Sequence, residues 1–99
     1  MLNSQVVTIQ EKIRPVLQEA GISRAGLFGS CARGEMNEAS DVDILVEPPE
    51  KFTLFSLSAL QRRLENVLGR DVDVVTYRSL HHLLRDRILA EELSLSIYG

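Results

Sequence analysis

The chain has 99 residues, 44% of them hydrophobic and 25% charged, a composition typical of ordinary globular proteins. This length leaves no room for two independent cores, so we expect residues 1–99 to form a single domain. The net charge of −3 argues against broad electrostatic binding to DNA or RNA, and no direct nucleic-acid binding is expected.

The first predicted element is an amphipathic helix. Apolar residues recur at helical spacing over about residues 4–20. Asn3 or Ser4 can cap this helix, and Gly21 can end it. Pro15 lies inside the pattern and is expected to kink the helix or to restart it there.

Two strands with a polar segment between them are predicted next. Ile22 to Phe28 is short and apolar, which favours a strand. Residues 29–40 are small and polar, and we predict one helical turn followed by a loop. Val42 to Glu47 is predicted to be the second strand, closed by Pro48 and Pro49. A loop connection allows these two strands to pair antiparallel.

The second half of the chain is predicted to form helix, strand, helix and strand. Helical spacing predicts a second helix, with Thr53 as its cap and Gly69 at its end. Val72 to Thr76 is the predicted third strand, Ser79 the cap of a third helix, and Leu93 to Ile97 the final strand. The apolar residues of the second helix are Leu54, Leu57, Leu60, Leu64, Val67 and Leu68, and those of the third are Leu80, Leu83, Leu84, Ile88 and Leu89.

This order of elements predicts an α/β (α+β) fold. The second and third strands are joined by a helix, which is the usual connection between parallel neighbours. With an antiparallel pair at the start, the result is a mixed β-sheet of about four strands flanked by helices.

Two carboxylates, Asp41 and Asp43, stand where the second strand begins. Side chains at i and i+2 of a strand share a face, about 6.6 Å apart along the chain. Like charges at this separation repel by roughly 2–3 kcal/mol at an effective dielectric near 20, and Asp73 on the third strand would add to the repulsion unless a cation intervenes. Oxygen ligands suit Mg²⁺, which binds through a few carboxylates and substrate phosphates.

A Gly-Ser turn follows the first strand. Gly29 lets the backbone approach a ligand closely, and Ser30 offers a hydroxyl and an N–H. If a helical turn begins here, its N–H groups would favour phosphate oxygens, and Arg33 could add a charged fork. Alone, a Gly-Ser pair is usually only a turn, and a lone Asp-x-Asp is usually solvated. Their combination in this order favours metal-dependent transfer from a nucleoside triphosphate.

These motifs resemble a known signature. Gly29-Ser30, ten residues and then Asp41-x-Asp43 is similar to the Gly-Ser-x10-Asp-x-Asp signature of the DNA polymerase beta-like nucleotidyltransferase superfamily. The fuller run Leu-Phe-Gly-Ser-Cys-Ala-Arg-Gly-Glu resembles the minimal nucleotidyltransferase (MNT) family. The likeness extends over nearly the whole chain, including Leu-Gly-Arg-Asp-Val-Asp-Val-Val from residue 68 onward, and it implies the fold of that superfamily.

The resemblance also implies roles for the polar residues of the first turn. Gly29 and Ser30 would hold the triphosphate tail of ATP as the substrate. Arg33 matches a position that is frequently basic in the family, which places it with the nucleotide-binding residues.

Three carboxylates would be both catalytic and metal-binding by the same resemblance. Asp41 and Asp43 would bind Mg²⁺, as two ions. Asp73 would be the third ligand and would help to deprotonate the acceptor hydroxyl. Asp71 shares the strand face of Asp73 and is the alternative, although the family carries its acid at the position of Asp73.

MNT proteins typically pair with a small helical HEPN protein in toxin–antitoxin modules. The resemblance therefore implies an antitoxin that moves AMP from ATP onto a tyrosine of a HEPN toxin, in a possible hetero-oligomer. Two alternatives stay open. One is an MNT-fold binding module that neutralises a toxin by contact alone, and the other is a nucleotidyltransferase for a hydroxyl of a small molecule.

The single cysteine bears on where the protein resides. Cys31 cannot form an internal disulfide, which suggests a reducing compartment, and its expected role is that of a small packed residue. No apolar run approaches the roughly 18 residues of a membrane span, and no signal-peptide pattern is seen. We expect a cytoplasmic protein with no membrane contact.

Overall fold

The computed structural model describes residues 4–35 and 41–98, without the side chains of His82 and Leu83. Its elements follow in the predicted order, which confirms the α/β (α+β) arrangement. They are α1 Ser4–Glu19, β1 Arg24–Phe28, β2 Val42–Glu47, α2 Leu54–Leu68, β3 Val72–Thr76, a 3-10 turn Tyr77–Ser79, α3 His82–Glu91 and β4 Leu93–Leu95.

The strands of the described chain form one mixed sheet in the order β3-β2-β1-β4. β1 runs antiparallel to both β2 and β4. β2 and β3, which α2 connects, run parallel. Both predicted pairings are confirmed, and the sheet brings the end of β1 beside the beginnings of β2 and β3.

One face of the sheet packs against α1 and α2 and forms the core. Val42, Ile44 and Val46 point to this face because successive side chains of a strand alternate. Leu45 is fully buried but lies on the opposite face, where α3 contacts β1. The helical residues of the core are Val6, Ile9, Ile13, Val16, Leu17, Leu60 and Leu64.

The end of α1 explains why β1 begins later than predicted. Gly21 adopts a φ of 75° and donates its N–H to the carbonyl of Gln18 at 3.1 Å, and the N–H of Ile22 bonds the carbonyl of Leu17 at 3.0 Å. These two bonds form a Schellman motif, with Leu17 and Ile22 both buried. Gly21 ends the helix as predicted, and β1 starts at Arg24 because Ile22 belongs to the cap.

α1 continues through Pro15, so the predicted restart is wrong. Proline removes one hydrogen bond of the helix ladder, but the ring of Pro15 lies on the exposed side. Ile13, Val16 and Leu17 are buried on the other side and hold both halves of the helix against the sheet. Helix capping by Asn3 cannot be assessed, since Asn3 lies outside the described residues.

α2 has the caps that its sequence predicts. The hydroxyl of Thr53 accepts the N–H of Ser56 at 3.1 Å. At the other end Gly69, with a φ of 68°, donates its N–H to the carbonyl of Glu65 at 2.8 Å. These bonds satisfy groups that a helix leaves unpaired at its ends.

Ser79 does not cap α3, contrary to the prediction. Its N–H donates to Oγ1 of Thr76 at 3.2 Å and its hydroxyl donates to the carbonyl of Thr76 at 3.0 Å, so Thr76 caps a 3-10 turn instead. α3 begins only at His82, and its predicted apolar face is poorly buried, with Leu84 54% exposed. The side chain of Leu83 lies outside the described part.

β4 ends at Leu95, two residues before the predicted end at Ile97. The carbonyl of Ser96 accepts from Nε of Arg14 at 2.8 Å, and that of Ile97 accepts from the side-chain amide of Gln18. Both carbonyls therefore bond to α1 rather than to β1. Across residues 4–35 and 41–98, no helix has the length and apolar character needed to cross a bilayer.

Candidate active site

Three of the predicted carboxylates, those of Asp41, Asp43 and Asp73, lie on one face of the sheet where β2 and β3 begin. We call this group the acidic edge. Asp43 and Asp73 are direct partners in the parallel register of β2 and β3, so their Cα atoms are about 4.8 Å apart and their side chains leave the same face. Asp41 precedes Asp43 by two residues and follows the same alternation. Asp43 is half-buried, whereas Asp41 and Asp73 are exposed to solvent.

The electrostatics of Asp43 confirm that these carboxylates are close. Burial raises the pKa of the Asp43 carboxyl, and the negative charges of Asp73 and Asp41 raise it further, while Arg33 opposes them. Like charges that share a site disfavour ionisation in this way. A bound cation would relieve the repulsion.

Asp71, the alternative third carboxylate, has a different environment. It is exposed, and its carbonyl accepts the N–H of Val42 at 3.0 Å as part of the β2–β3 pairing. The charges that raise the pKa of Asp43 are those of Asp73 and Asp41, and Asp71 is not among them. The register therefore favours Asp73 as the partner of Asp43.

Gly29 brings the turn after β1 against the carboxylate of Asp43. Its φ of 70° lies in the left-handed region that favours glycine. A Cβ at this position would overlap Oδ2 of Asp43, so that carboxylate would have to move. The backbone angle therefore favours glycine, and any other residue would also displace the carboxylate of Asp43.

The residues after Gly29 form one helical turn, as predicted. The N–H of Arg33 bonds the carbonyl of Gly29 at 3.2 Å, and the N–H of Glu35 bonds that of Ser30 at 2.9 Å. Gly34, at a φ of 73°, closes the turn as in a helix cap. The N–H groups of residues 30–32 take no part in these bonds and are suited to an anion. The predicted loop over residues 36–40 lies outside the described residues.

Arg33 is held by two carboxylates. Its Nε donates to Glu35 at 2.7 Å, and Nη1 donates to Glu91 at 3.4 Å. The pKa of Arg33 is raised, mainly by Glu35 and to a smaller extent by Glu91. The charge of Arg33 also opposes the rise in the pKa of Asp43, so the two side chains are near enough to interact.

Cys31 is a packed core residue, as predicted. Its side chain is 1% exposed and belongs to the core cluster on the helix side of the sheet. Burial raises the pKa of its thiol, which disfavours the reactive thiolate.

The donor set at the acidic edge suits a hard cation shared with a substrate. Within the described ranges, no group of three or more His, Cys, Asp and Glu side chains is arranged so as to hold a metal ion. Mg²⁺ usually binds through one or two carboxylates, water and substrate phosphates rather than in a cage made by the protein alone. The partly exposed carboxylates of Asp41 and Asp43 fit this mode of binding.

A buried network on the same face of the sheet was not anticipated from the sequence. The hydroxyl of Tyr77 donates to Oε2 of Glu92, and Nη2 of Arg24 lies 3.6 Å from Oε1 of Glu92. The guanidinium of Arg24 lies 4.2 Å from the centre of the Tyr77 ring. The one sequence signal was Gly26 inside a strand, which often marks a close approach, and here the approaching group is the carboxylate of Glu92.

Comparison with known proteins places the chain among nucleotidyltransferases. The model of the nucleotidyltransferase domain family matches residues 10–95. A provisionally named protein adenylyltransferase of Methanocaldococcus jannaschii is 54% identical over 83 residues, covering 84% of this chain and 89% of that protein. The protein adenylyltransferase MntA of Thermococcus cleftensis is 42% identical over 71 residues, covering 72% of each chain.

Solved structures share the fold along most of the chain. One that is provisionally described as a minimal nucleotidyltransferase superposes with a TM-score of 0.79 at 36% identity, covering 94% of this chain and 95% of its own. A chain of a toxin–antitoxin complex with AMP-PNP superposes with a TM-score of 0.77 at 27% identity, covering 88% of this chain and 72% of its own.

Proposed function

This chain belongs to the nucleotidyltransferase domain family as one of its minimal members, and from that premise we propose that it is an antitoxin that transfers AMP from ATP to a tyrosine of a HEPN toxin. Nucleotidyl transfer follows from the family. The nucleotide, the acceptor and the residue roles are the proposal. The observation that supports it most directly is the parallel register that sets Asp43 against Asp73, beside the Gly29 turn.

The turn after β1 is the proposed triphosphate site. Gly29 has no side chain of its own and packs against the carboxylate of Asp43, so phosphate oxygens bound by the N–H groups that follow it would lie beside the proposed metal ligands. Ser30 adds a hydroxyl donor, and Arg33 adds a charged fork one turn later. An AMP-PNP complex of a structural relative is consistent with a nucleoside triphosphate at such a site.

The carboxylates of Asp41 and Asp43 are the proposed ligands of Mg²⁺, with two ions bound together with ATP. Mg²⁺ would neutralise the phosphate charge and stabilise the attacking and leaving oxygens of an in-line displacement. The raised pKa of Asp43 is consistent with a site built for positive charge, because its neighbours repel its proton-free form.

Asp73 is the proposed proton acceptor and third ligand, and as a ligand its carboxylate would have to draw closer to those of Asp41 and Asp43 when Mg²⁺ and ATP bind. The acceptor hydroxyl oxygen forms a bond to the α-phosphorus of ATP, its proton passes to Asp73, and the bond between the α-phosphorus and the bridging oxygen breaks. Pyrophosphate leaves with that oxygen. Asp73 is exposed to solvent, so an acceptor side chain can reach it from outside.

The proposed acceptor belongs to a partner protein. Similar chains are named protein adenylyltransferases, and a structural relative is part of a toxin–antitoxin complex. The described residues form one sheet with three α-helices and a 3-10 turn, and no second domain that could bind an acceptor. A HEPN toxin would therefore supply the remaining surface in a hetero-oligomer.

The direct test is AMP transfer to a HEPN toxin that binds this chain. Incubation of the two proteins with ATP and Mg²⁺ should add the mass of AMP to a tyrosine of the partner, read by intact-protein and peptide mass spectrometry. Intact protein that binds its partner but transfers nothing would contradict the proposal.

Substitutions separate the roles of the carboxylates. The double variant Asp41→Asn with Asp43→Asn should abolish transfer while still binding the partner, whereas an antitoxin acting by contact alone would keep protecting cells. Asp73→Asn should reduce transfer by about a hundredfold or more, as loss of a general base does. Asp71→Asn is the matched control on the same strand and should leave transfer near the wild-type rate.

A further inference from the structure

Two adjacent glutamates at the end of α3 reach different parts of the site. The carboxylate of Glu92 lies on the face of the sheet where it meets Gly26, and its side chain is only 4% exposed. Its Oε2 accepts the hydroxyl of Tyr77, and its Oε1 pairs with Arg24. It packs against Gly26 so closely that any Cβ there would overlap it. Glu92 therefore anchors the end of α3 to β1.

The side chain of Glu91 contacts Arg33 in the turn after β1. Oε2 of Glu91 lies 3.4 Å from Nη1 of Arg33, although the two residues are separated by 58 positions in the chain. Its side chain is one-third exposed. Glu92 fixes the backbone next to Glu91, and Oε1 of Glu91 also lies 3.8 Å from Nε of Arg87 one helical turn earlier, so its carboxylate is paired with both arginines.

We propose that Glu91, anchored through Glu92, is a positioning residue that aims the guanidinium of Arg33 at the triphosphate. This inference rests on the proposed function of the Gly29–Ser30 turn. The bonds of Arg33 to described residues use Nε and Nη1, which leaves Nη2 out of both. A planar guanidinium that is bonded through Nε and Nη1 presents Nη2 in a defined direction. The side chain of Arg33 then loses less conformational entropy when it binds phosphate.

The opposite role would be competition, in which Glu91 occupies Arg33 until ATP displaces it. The geometry favours positioning over competition. The contact between Glu91 and Arg33 is 3.4 Å, which is too long to compete strongly with a phosphate, and the closer bond of Arg33, at 2.7 Å, is to Glu35. Arg33 also lies near enough to Asp43 to act on its charge. The two roles predict opposite changes in affinity when Glu91 is neutralised.

The test compares ATP affinity in Glu91→Gln and wild type by isothermal calorimetry with Mg²⁺, without the partner. Positioning predicts that Kd rises by about two- to fivefold, the range expected for loss of an exposed ion pair. The KM for ATP in the transfer reaction should rise by the same factor, with kcat little changed. Glu19→Gln is the matched control, since Glu19 pairs with Arg63 on the surface away from the turn. It should leave Kd unchanged.

A double-mutant cycle excludes a purely structural effect. In an Arg33→Gln background, Glu91→Gln should cause no further rise in Kd, because no guanidinium is left to position. A rise of the same size in both backgrounds would overturn the inference, as would a fall in Kd or no change in the single variant. Tyr77→Phe, which removes a donor to Glu92, should raise Kd in the same direction and speed amide exchange in residues 29–35.

The outcomes for wild type separate this inference from the function on which it rests. ATP binding and AMP transfer by wild type with an unchanged Kd in Glu91→Gln would overturn the positioning role alone. Wild type that binds no ATP would overturn both.

Discussion

At the scale of single residues, Gly29 determines whether the turn and the acidic edge can meet. In the variant Gly29→Ala, the alanine would have to adopt a left-handed φ and would displace the carboxylate of Asp43. We expect AMP transfer to fall by about a hundredfold, since small displacements of reacting groups cost rates of this order.

Gly34→Ala is the matched control for that substitution. Gly34 has a similar φ of 73°, but a Cβ there would meet no atom within 4 Å. It should lower the free energy of unfolding by about 1–2 kcal/mol, the cost of the left-handed backbone, and leave transfer near wild type. Equal loss of transfer in both variants would contradict the role assigned to Gly29.

The raised pKa of Asp43 makes the stability of the fold depend on pH. Its pKa is raised in the folded state, so the folded protein holds this proton more tightly than the unfolded chain. The resulting stabilisation is present at low pH and is lost as the pH rises through the folded pKa. Asp43→Asn cannot ionise, and at pH 7 it should be at least as stable as wild type.

Thermal unfolding between pH 3 and pH 7 measures this difference. The advantage of Asp43→Asn should shrink as the pH falls through the raised folded pKa and should be gone below the ordinary carboxyl value of 3.8, where the wild-type carboxyl is protonated in both states. Asp86→Asn removes an exposed carboxylate of α3 and serves as control. A wild type that is clearly more stable than Asp43→Asn at pH 7, without added metal, would contradict the account.

At the scale of elements, the caps of α2 should affect stability and spare activity. Thr53→Ala removes the acceptor for the N–H of Ser56 and should lower the free energy of unfolding by about 1 kcal/mol. Transfer should be unchanged, because Thr53 follows the far end of β2 from Asp43. Ser58→Ala, an exposed hydroxyl inside the same helix, should change stability by less than about 0.5 kcal/mol in urea denaturation.

At the scale of the whole molecule, stability is expected to be uneven. α1 and α2 bury apolar faces against the sheet, whereas α3 leaves Leu84 half exposed and places none of its described side chains in the core cluster. Hydrogen exchange followed by mass spectrometry should therefore show faster exchange in α3 than in β1 and β2. Protection of α3 equal to that of the central strands would show that Glu92 holds it more firmly than its apolar contacts suggest.

Two large apolar side chains exposed at the start of α2 are candidates for the surface that binds the partner. Leu54 is 82% exposed and Phe55 87%, both at the first turn of α2. They lie at the opposite end of the sheet from the Gly29 turn. The core contacts of α2 come from Leu60 and Leu64, with the partly buried Leu57 and Leu68 packed beside them.

The local features of the sequence predicted most of the elements. Apolar spacing gave the helices and strands, and residues with special backbone or capping chemistry, such as Gly21, Thr53 and Gly69, gave several of their ends. The cap predicted at Ser79 and the predicted start of β1 failed for local reasons, since Thr76 and Gly21 supply the caps there, whereas two other predictions failed because of longer-range contacts. α1 runs through Pro15 because the sheet holds its buried side, and β4 stops early because Arg14 and Gln18 take the next carbonyls.

The sequence by itself determined that this chain would form a mixed sheet, and that a glycine turn and an acidic strand would carry its polar chemistry. These properties follow from side-chain period and backbone propensity, which act over a few residues. Only the tertiary structure decided that Asp73 is the strand partner of Asp43 and that Glu91 meets Arg33. Such pairs are distant in the chain, and they are brought together by register and packing, which depend on how all the elements bury their apolar faces at once.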